Sequence, residues 1–266
     1  MGIIELDAYV ILLSGNDRYT FLDGLSTNKV EQSCSTVLTT TSAKIIDVID
    51  VIEVGDNVAI VGYGPYKNNV LNHLQPRILQ QDVSLRDISA INSVYLSTDP
   101  VEQADGLTIS ESFLGWIVVT SIKNQLTETM TEQEFVDYRT KNTIPYQGHE
   151  ISPKVHPFNC GLAHLVHEAK GCYIGQEVLT RMRSRGKMGK QLVQVPIDSD
   201  DALSIGTEFA LAIRRPNTRI LYAPILNRNS KHPLVAICKN YPKFARTRVH
   251  HRLVPVRIHS QHRWHR

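Results

Sequence analysis

Long apolar runs are missing from this 266-residue sequence. No stretch approaches the roughly 18 consecutive apolar residues that a membrane-spanning helix needs, so a transmembrane protein is not expected. Charged residues make up 21% of the chain, and it holds 15 Gly and 12 Pro. This balance excludes the collagen-like, coiled-coil and disordered classes. The start, Met1-Gly2-Ile3-Ile4-Glu5, has no basic segment followed by an apolar one, which predicts a cytoplasmic protein.

Cysteine is scarce as well. The chain has four cysteines, none of them in a CxxC pair: Cys34, Cys160, Cys172 and Cys238. This low density argues against a disulfide framework. The spacing excludes a set of closely spaced cysteine ligands for a metal cluster. Four histidines (149, 156, 164 and 167) lie near Cys160 in the sequence, but their spacing fits no standard metal motif. We therefore predict no metal site.

Acidic residues are absent from the last 28 positions. Residues 239–266 carry eight Lys or Arg, whereas the other 238 residues have 21 basic and 26 acidic side chains. A basic tail with Trp264 suits an anionic partner such as RNA. No aromatic RNA-binding motif accompanies the charge, which favours a solvated last strand with a ragged end. Nucleic acid is therefore not expected as a partner.

Hydrophobic patterning in the first hundred residues predicts alternating strands and helices. Apolar runs and alternation indicate strands over 8–13, 44–53, 57–62 and 83–88, with helices over 16–25 and 66–80. Pro76 is expected to bend or end the second helix. The order β-α-β-β-α-β is typical of an antiparallel sheet with helices on one face, which is an α+β layer.

The pattern changes further along the chain. Strands are predicted over 94–96 and 116–120, and Thr131 with Glu134 forms a capping box for a short helix through Arg139. After Gly189, short strands are predicted over 191–197, 208–213, 219–226 and 234–238. Strands of this length and spacing predict a small β-barrel. We therefore predict two domains, 1–190 and 191–266.

Residues 170–177, Lys-Gly-Cys-Tyr-Ile-Gly-Gln-Glu, differ from the rest of the chain. The two glycines allow the backbone to approach a ligand, and Tyr173 offers a flat face for stacking. In an extended segment, Lys170 and Cys172 would point to the same side, where an ammonium favours a thiolate. Gln176 and Glu177 are expected to open a helix. A glycine-rich turn around a buried cysteine has the same residue types, so both interpretations remain open.

A basic run follows this segment: Arg181, Arg183, Arg185, Lys187 and Lys190. Arginine pairs in a bidentate manner with carboxylates, so the run suits the anionic tail of a ligand. Charge runs are also typical of a solvated protein face.

The segment 170–177 resembles the signature of the YgfZ-type folate-binding proteins, which are paralogues of the glycine-cleavage aminomethyltransferase and support iron–sulfur protein assembly or repair. Other similar stretches are 21–30 (FLDGLSTNKV), Ile144-Pro145 with 148–151 (GHEI), Arg181, and Gly186-Lys187. The resemblance covers about residues 5–195. It implies ferredoxin-like α+β halves of the aminomethyltransferase folate-binding fold, followed by a small C-terminal β-barrel.

The resemblance also implies a function. It implies a tetrahydrofolate-binding accessory protein, with iron–sulfur client or assembly proteins as partners, that is not a classical turnover enzyme. A monomer is the default expectation, since the sequence carries no signal of oligomeric state. The implied reactive pair is Cys172 with Lys170, and the implied folate contacts are Gly171, Tyr173, Gly175, Gln176, Glu177, Arg181 and Arg183. The alternative is a folate-dependent aminomethyl transferase of the glycine-cleavage type.

The sequence departs from the family pattern in four stretches. Lys29 stands where Asp is frequent, and Ala43 replaces the glycine of a Gly-Lys pair. The stretch 141–143 (Lys-Asn-Thr) replaces Glu-x-Gly, whose acid contacts the pterin in the aminomethyltransferases. An Asp-Asp pair of those enzymes is Asp47-Val48 here. Transferase chemistry needs an acid or base at the folate nitrogens, so these changes favour the accessory role.

Overall fold

The computed structural model describes residues 2–185 and six short strands beyond them, 190–195, 210–212, 220–221, 234–239, 245–249 and 252–256. None of the helices in this part of the chain is long and apolar enough to cross a membrane. Contacts divide the chain into two compact units: Met1–Glu132 with Ala163–Thr180, and Gln133–Leu162 with Arg181–Arg266. The sequence-based boundary at residue 190 stays a prediction.

The first unit contains a five-stranded antiparallel sheet. Its elements are β2 (Ala8–Ser14), α1 (Arg18–Leu25), β3 (Cys34–Thr39), β4 (Ile45–Val54), β5 (Asn57–Tyr63), α2 (Lys67–Leu74) and β6 (Ser84–Asp87), preceded by β1 (Ile3–Glu5). The strand order is β3-β4-β5-β2-β6, and every neighbouring pair is antiparallel. The order β4-β5-β2-β6 is that of a ferredoxin-like split βαβ unit. The predicted α+β layer is therefore present, with one strand added at its edge.

The core of this sheet follows the predicted periodicity. Helix α1 buries Phe21, Leu22 and Leu25 against the sheet. Helix α2 ends at Leu74, and a 3₁₀ turn containing Pro76 follows it, as the missing N–H of proline requires. Strand β6 lies at the edge of the sheet as predicted.

Strand β3 is not predicted by the sequence pattern. Its sequence, Cys-Ser-Thr-Val-Leu-Thr, shows no apolar alternation, yet all of its residues except Cys34 are buried. The buried hydroxyls find partners in the tertiary structure: that of Thr36 accepts from the Asn28 N–H (2.8 Å), and that of Thr39 donates to the Ile174 carbonyl (2.6 Å). Burial of polar side chains is tolerated only with such partners, which a local pattern does not reveal.

A second, four-stranded antiparallel sheet completes the first unit. It consists of β1 with β7 (Asn92–Ser97), β8 (Leu107–Ser112) and β9 (Gly115–Ser121), in the order β1-β7-β9-β8. Strands β7 and β9 were predicted, whereas β1 and β8 were not. In β8 only Ser110 is buried, and Glu111 is exposed. Two antiparallel sheets with helices thus form a mixed α/β unit.

Helix α3 (Glu132–Lys141) lies where the capping box predicts it, and from Gln133 onward it belongs to the second unit. A buried ion pair joins α3 to the segment that follows it. Arg139 of α3 donates to the Glu150 carboxylate at 2.8 Å, and both side chains are at most 4% exposed. Burial raises the pKa of Glu150, while Arg139 opposes this shift. The pair fixes the turn that follows Pro145, because the Tyr146 N–H donates to the same carboxylate oxygen (3.2 Å).

Six strands follow in the second unit: β10 (Lys190–Val195), β11 (Ala210–Ala212), β12 (Ile220–Leu221), β13 (Leu234–Lys239), β14 (Ala245–Val249) and β15 (Arg252–Val256). They form two antiparallel sheets, β10-β13-β12 and β11-β14-β15. Each of the four predicted strands overlaps a described strand, namely β10, β11, β12 and β13, and the basic tail supplies two strands where one was expected. Closure of these sheets into a barrel stays a prediction, and the histidines of the tail lie outside the described residues.

A buried carboxyl group connects the two sheets of the first unit. Asp50 of β4 is 5% exposed and accepts hydrogen bonds from the hydroxyls of Ser35 in β3 and Ser112 in β8, the latter at 2.8 Å. The Ser35 hydroxyl also accepts from the Phe113 N–H (2.9 Å). Burial raises the pKa of Asp50 to about 6, although both serine donors lower it. The folded state therefore favours the neutral carboxyl group.

We expect this group to make stability depend on pH. Since its folded pKa of about 6 exceeds the ordinary value of 3.8, its contribution is fully present below pH 4 and is lost as the pH rises through 6. Asp50→Asn should remove this slope, which amounts to about 2–3 kcal/mol of unfolding free energy. Denaturant unfolding of both proteins between pH 4 and 7 measures it.

Asp87→Asn is the matched control. Burial raises the pKa of Asp87, but the Lys67 and Ser89 donors lower it to about 2, so this variant should keep the wild-type slope between pH 4 and 6. Equal slopes in wild type and Asp50→Asn would show that Asp50 does not titrate in this range.

Candidate functional site

The segment 170–177 is a loop that leads into a helix. Residues 170–173 belong to no strand, a turn follows at Ile174 and Gly175, and α4 (Gln176–Arg185) begins at the next residue. The prediction that Gln176 and Glu177 open a helix is confirmed. Glu177 lies in the first turn, where a carboxylate interacts favourably with the helix dipole. Because the segment is not a strand, side-chain alternation does not place Lys170 and Cys172 on one face.

The ammonium group of Lys170 is buried in a ring of oxygens. It donates to the backbone carbonyls of Asp23 (2.7 Å), Ser26 (2.9 Å) and Asn28 (2.7 Å). The Asp23 carboxylate lies 2.9 Å away, and the Lys170 side chain is 1% exposed. Helix α1 ends at Leu25 and has no basic residue in its last turn. Lys170 thus supplies, from 142 to 147 positions away, the cation that the carbonyl end of a helix favours.

Burial and the neighbouring Asp23 act on Lys170 in opposite directions, and the net effect is a pKa below the ordinary value. Burial lowers its pKa from the ordinary value, while the hydrogen bond and charge of Asp23 raise it. The ring of Tyr173 also lies over the ammonium, at 5.3 Å from its centroid. Charge coupling links Lys170 to Cys34, whose thiol is nonetheless kept neutral because burial raises its pKa to about 11.

The far end of the loop is held by β3 and the turn after it. The Thr39 hydroxyl donates to the Ile174 carbonyl at 2.6 Å. Gly175 has a φ of +87°, and a Cβ there would lie 2.7 Å from the Thr39 hydroxyl oxygen and 2.8 Å from the Thr40 carbonyl oxygen. Only glycine meets both conditions, the left-handed backbone and the close approach.

Between these two anchors the loop is open to solvent. Gly171 and Cys172 are exposed, and a Cβ at Gly171 would meet no atom within 4 Å. The Gln176 side chain closes the loop from the helix by donating to the Gly171 carbonyl (3.3 Å). The arrangement holds a thiol and a stretch of backbone at a fixed, accessible place. This geometry suits a group that must react with, or bind to, a second molecule.

Seven of the nine predicted site residues lie on this loop and at the start of α4: Lys170, Gly171, Cys172, Tyr173, Gly175, Gln176 and Glu177. The Glu177 side chain is exposed. Arg181 and Arg183 belong to the second unit, where the Arg183 guanidinium lies over the Phe158 ring at 5.3 Å. Their contact with the tail of a folate stays a prediction.

Sequence reasoning missed the residues that hold the loop. Asp23, Ser26 and Asn28 are in the stretch 21–30, which was noted only as a second similar stretch, and Thr39 was not singled out. The available signal was the joint occurrence of the stretches 21–30 and 170–177. A single lysine side chain connects them.

Two residues without glycine's freedom adopt left-handed backbone conformations in the described part of the chain. They are Ala43 and Thr143, both with a φ of +57°. Each stands at a position where the family resemblance expects glycine. The local backbone therefore has the shape that a glycine would favour, although the glycine is absent. Among the described residues, no three His, Cys, Asp or Glu side chains gather as metal ligands.

Comparison with known proteins finds a structural likeness. No protein family model and no curated protein matches the sequence. The crystal structure of the glycine cleavage system aminomethyltransferase T from Bartonella henselae is similar, with a TM-score of 0.74 and 12% identity. The match covers 98% of this chain and 85% of that chain. The chain thus has a fold of the aminomethyltransferase type.

Gly175 and Gly171 form a matched pair for testing the anchored loop. We expect Gly175→Ala to lower the unfolding free energy by about 2–4 kcal/mol, because its methyl group meets backbone atoms at a positive φ. Gly171→Ala should change it by less than about 0.5 kcal/mol, because its methyl group points into open space. Denaturant unfolding of both variants measures this difference. Equal stability of the two variants would contradict the described loop.

Proposed function

We propose that this protein binds a reduced folate at the loop 170–177 and acts as an accessory protein in the assembly or repair of iron–sulfur proteins. The observation that carries the proposal is the exposed Cys172 on a loop that Lys170 and Thr39 hold at its two ends. The resemblance of this segment to the folate-binding signature supplies the ligand class, and the fold agrees with it.

The loop fits a flat ring in part. The exposed backbone of Gly171 and the half-buried ring of Tyr173 offer polar and aromatic contacts. The acid that contacts the pterin in aminomethyltransferases has no counterpart, since Lys141 at that position is exposed at the end of α3. Binding alone is therefore proposed for the folate, with no chemical step on it.

The buried acids of the first unit do not replace the missing group. Asp47 is fully buried and accepts from the Tyr9 hydroxyl (2.9 Å) and the Tyr63 N–H (3.1 Å). Asp50 is held by two serine hydroxyls. Both carboxyl groups are thus occupied by protein donors within the sheet.

A folate-dependent aminomethyl transferase is the second candidate. The structural likeness to aminomethyltransferase T favours it. The lysine at position 141 and the engaged Asp47 disfavour it, because transfer chemistry needs an acid or base at the folate. Tetrahydrofolate-dependent release of ammonia from an aminomethyl donor would establish this activity.

Anaerobic calorimetric titration with tetrahydrofolate tests the ligand. We expect saturable binding to the wild-type protein, weakened about tenfold or more in Gly171→Ala, because a methyl group there obstructs approach to the loop without destabilising the fold. Gly24→Ala is the matched control and should bind as the wild type does, since its Cβ also meets no atom within 4 Å but lies on helix α1. Absence of both heat and thermal stabilisation in the wild type would overturn folate binding.

Complementation tests the role of Cys172. In a strain that lacks the protein, Cys172→Ala should fail to restore the activity of an iron–sulfur enzyme, because the exposed thiol is removed. Cys34→Ala should restore it, because the Cys34 thiol is half-buried and its pKa of about 11 keeps it neutral. Full restoration by Cys172→Ala would show that the thiol is dispensable.

A further inference from the structure

We propose that Lys170 is a positioning residue. Its buried ammonium binds the carbonyls at the end of helix α1 and thereby holds the loop that presents Cys172. This inference rests on the proposed function for its biological meaning, and it replaces the predicted role of Lys170 as a group that activates the thiol. The buried ammonium orders the loop whether or not a ligand is bound.

The oxygens around the Lys170 nitrogen take up all of its N–H donors. A protonated lysine has three N–H donors and no acceptor. Four oxygens surround the Lys170 nitrogen at 2.7–2.9 Å: three backbone carbonyls and the Asp23 carboxylate. A neutral amine would lose one donor and turn its lone pair toward an oxygen. The ring of oxygens therefore requires the charged form, and this form has no N–H left for a thiol or a ligand.

The three carbonyls that bind Lys170 lie at the end of α1 and in the turn after it. The Asp23 carbonyl is one of the last four of α1, which lack partners within the helix, and Ser26 and Asn28 continue the chain beyond it. Their carbonyls converge on one point, as they would around a bound ammonium or potassium ion. Lys170 fills that point with an ion that is covalently attached to the loop.

Lys170 directly precedes the exposed part of the loop. Gly171 and Cys172, the exposed part of the loop, follow it directly, and Tyr173 covers its ammonium. The carboxylate of Asp23 also accepts from the Val30 N–H (2.9 Å), which ties the turn after α1 to the same centre. Removal of the cation should therefore loosen the turn and the loop together.

Chemical rescue tests this role. Lys170→Ala leaves the ring of oxygens and a space for three carbons and an ammonium group. We expect its melting temperature to fall by about 5–10 °C, and amide hydrogen exchange in residues 171–176 to become at least tenfold faster. Propylammonium should reverse at least half of the fall in melting temperature and at least half of the acceleration of exchange. Tetramethylammonium has the same charge but no N–H donor, and it should reverse neither change.

Two further variants keep the test decisive. Lys67→Ala removes a lysine from an exposed ion pair with Asp87 (2.9 Å), and propylammonium should not affect it. If Lys170→Ala does not fold, Asp23→Asn serves instead, because it keeps the carbonyls and removes only the carboxylate. It should accelerate exchange in the same residues to a smaller extent.

Unchanged exchange in residues 171–176 of Lys170→Ala, or equal rescue by tetramethylammonium, would overturn the inference. None of these measurements uses folate or an iron–sulfur protein. Rescue by propylammonium in a protein that fails to bind tetrahydrofolate would leave the positioning role intact and reject the proposed ligand.

Discussion

The site depends on one buried ammonium group. A lysine nitrogen in the protein interior needs oxygen partners, and the carbonyl end of a helix needs donors. In this chain each requirement is met by the other, because Lys170 fills the ring of carbonyls that α1 and the following turn form. Neither group could be buried alone without a large cost. The same contact gives the exposed thiol of Cys172 its fixed position.

The sheets that carry this contact are themselves joined by buried polar groups. The strand β3 has hydroxyls where a core strand normally has apolar side chains, and Asp50 with Ser35 and Ser112 connects it to its neighbours. Thr39 belongs to the same strand and holds the far end of the loop. Polar networks of this kind fix register and orientation, because every member must keep its partner. The strand with the least regular pattern is therefore the one that positions the site.

The likeness to an aminomethyltransferase and the divergence from it have different physical bases. The fold persists at 12% identity because many apolar sequences fill the same sheets. Ala43 and Thr143 retain a left-handed backbone at expected glycine positions, which shows that the surrounding contacts hold the chain in shape despite local strain. Chemistry is less tolerant, since the family resemblance expects an acid at the position of Lys141, and a lysine has the opposite charge. Likeness of fold therefore does not by itself carry the reaction over to this chain.

The sequence by itself determined the α+β layer around β2, β4, β5 and β6, the two helices of the first sheet, and the start of α4. These depend on local periodicity, glycine and helix-dipole preferences, which act over a few residues. Only the tertiary structure decided that β1, β3 and β8 are strands, that Lys170 binds the carbonyls at the end of α1, and that Thr39 secures the loop. Each of these rests on hydrogen bonds between residues that are far apart in sequence, such as Lys170 with Asp23 across 147 positions. A local pattern carries no information about such partners, because their meeting depends on how the whole sheet is assembled.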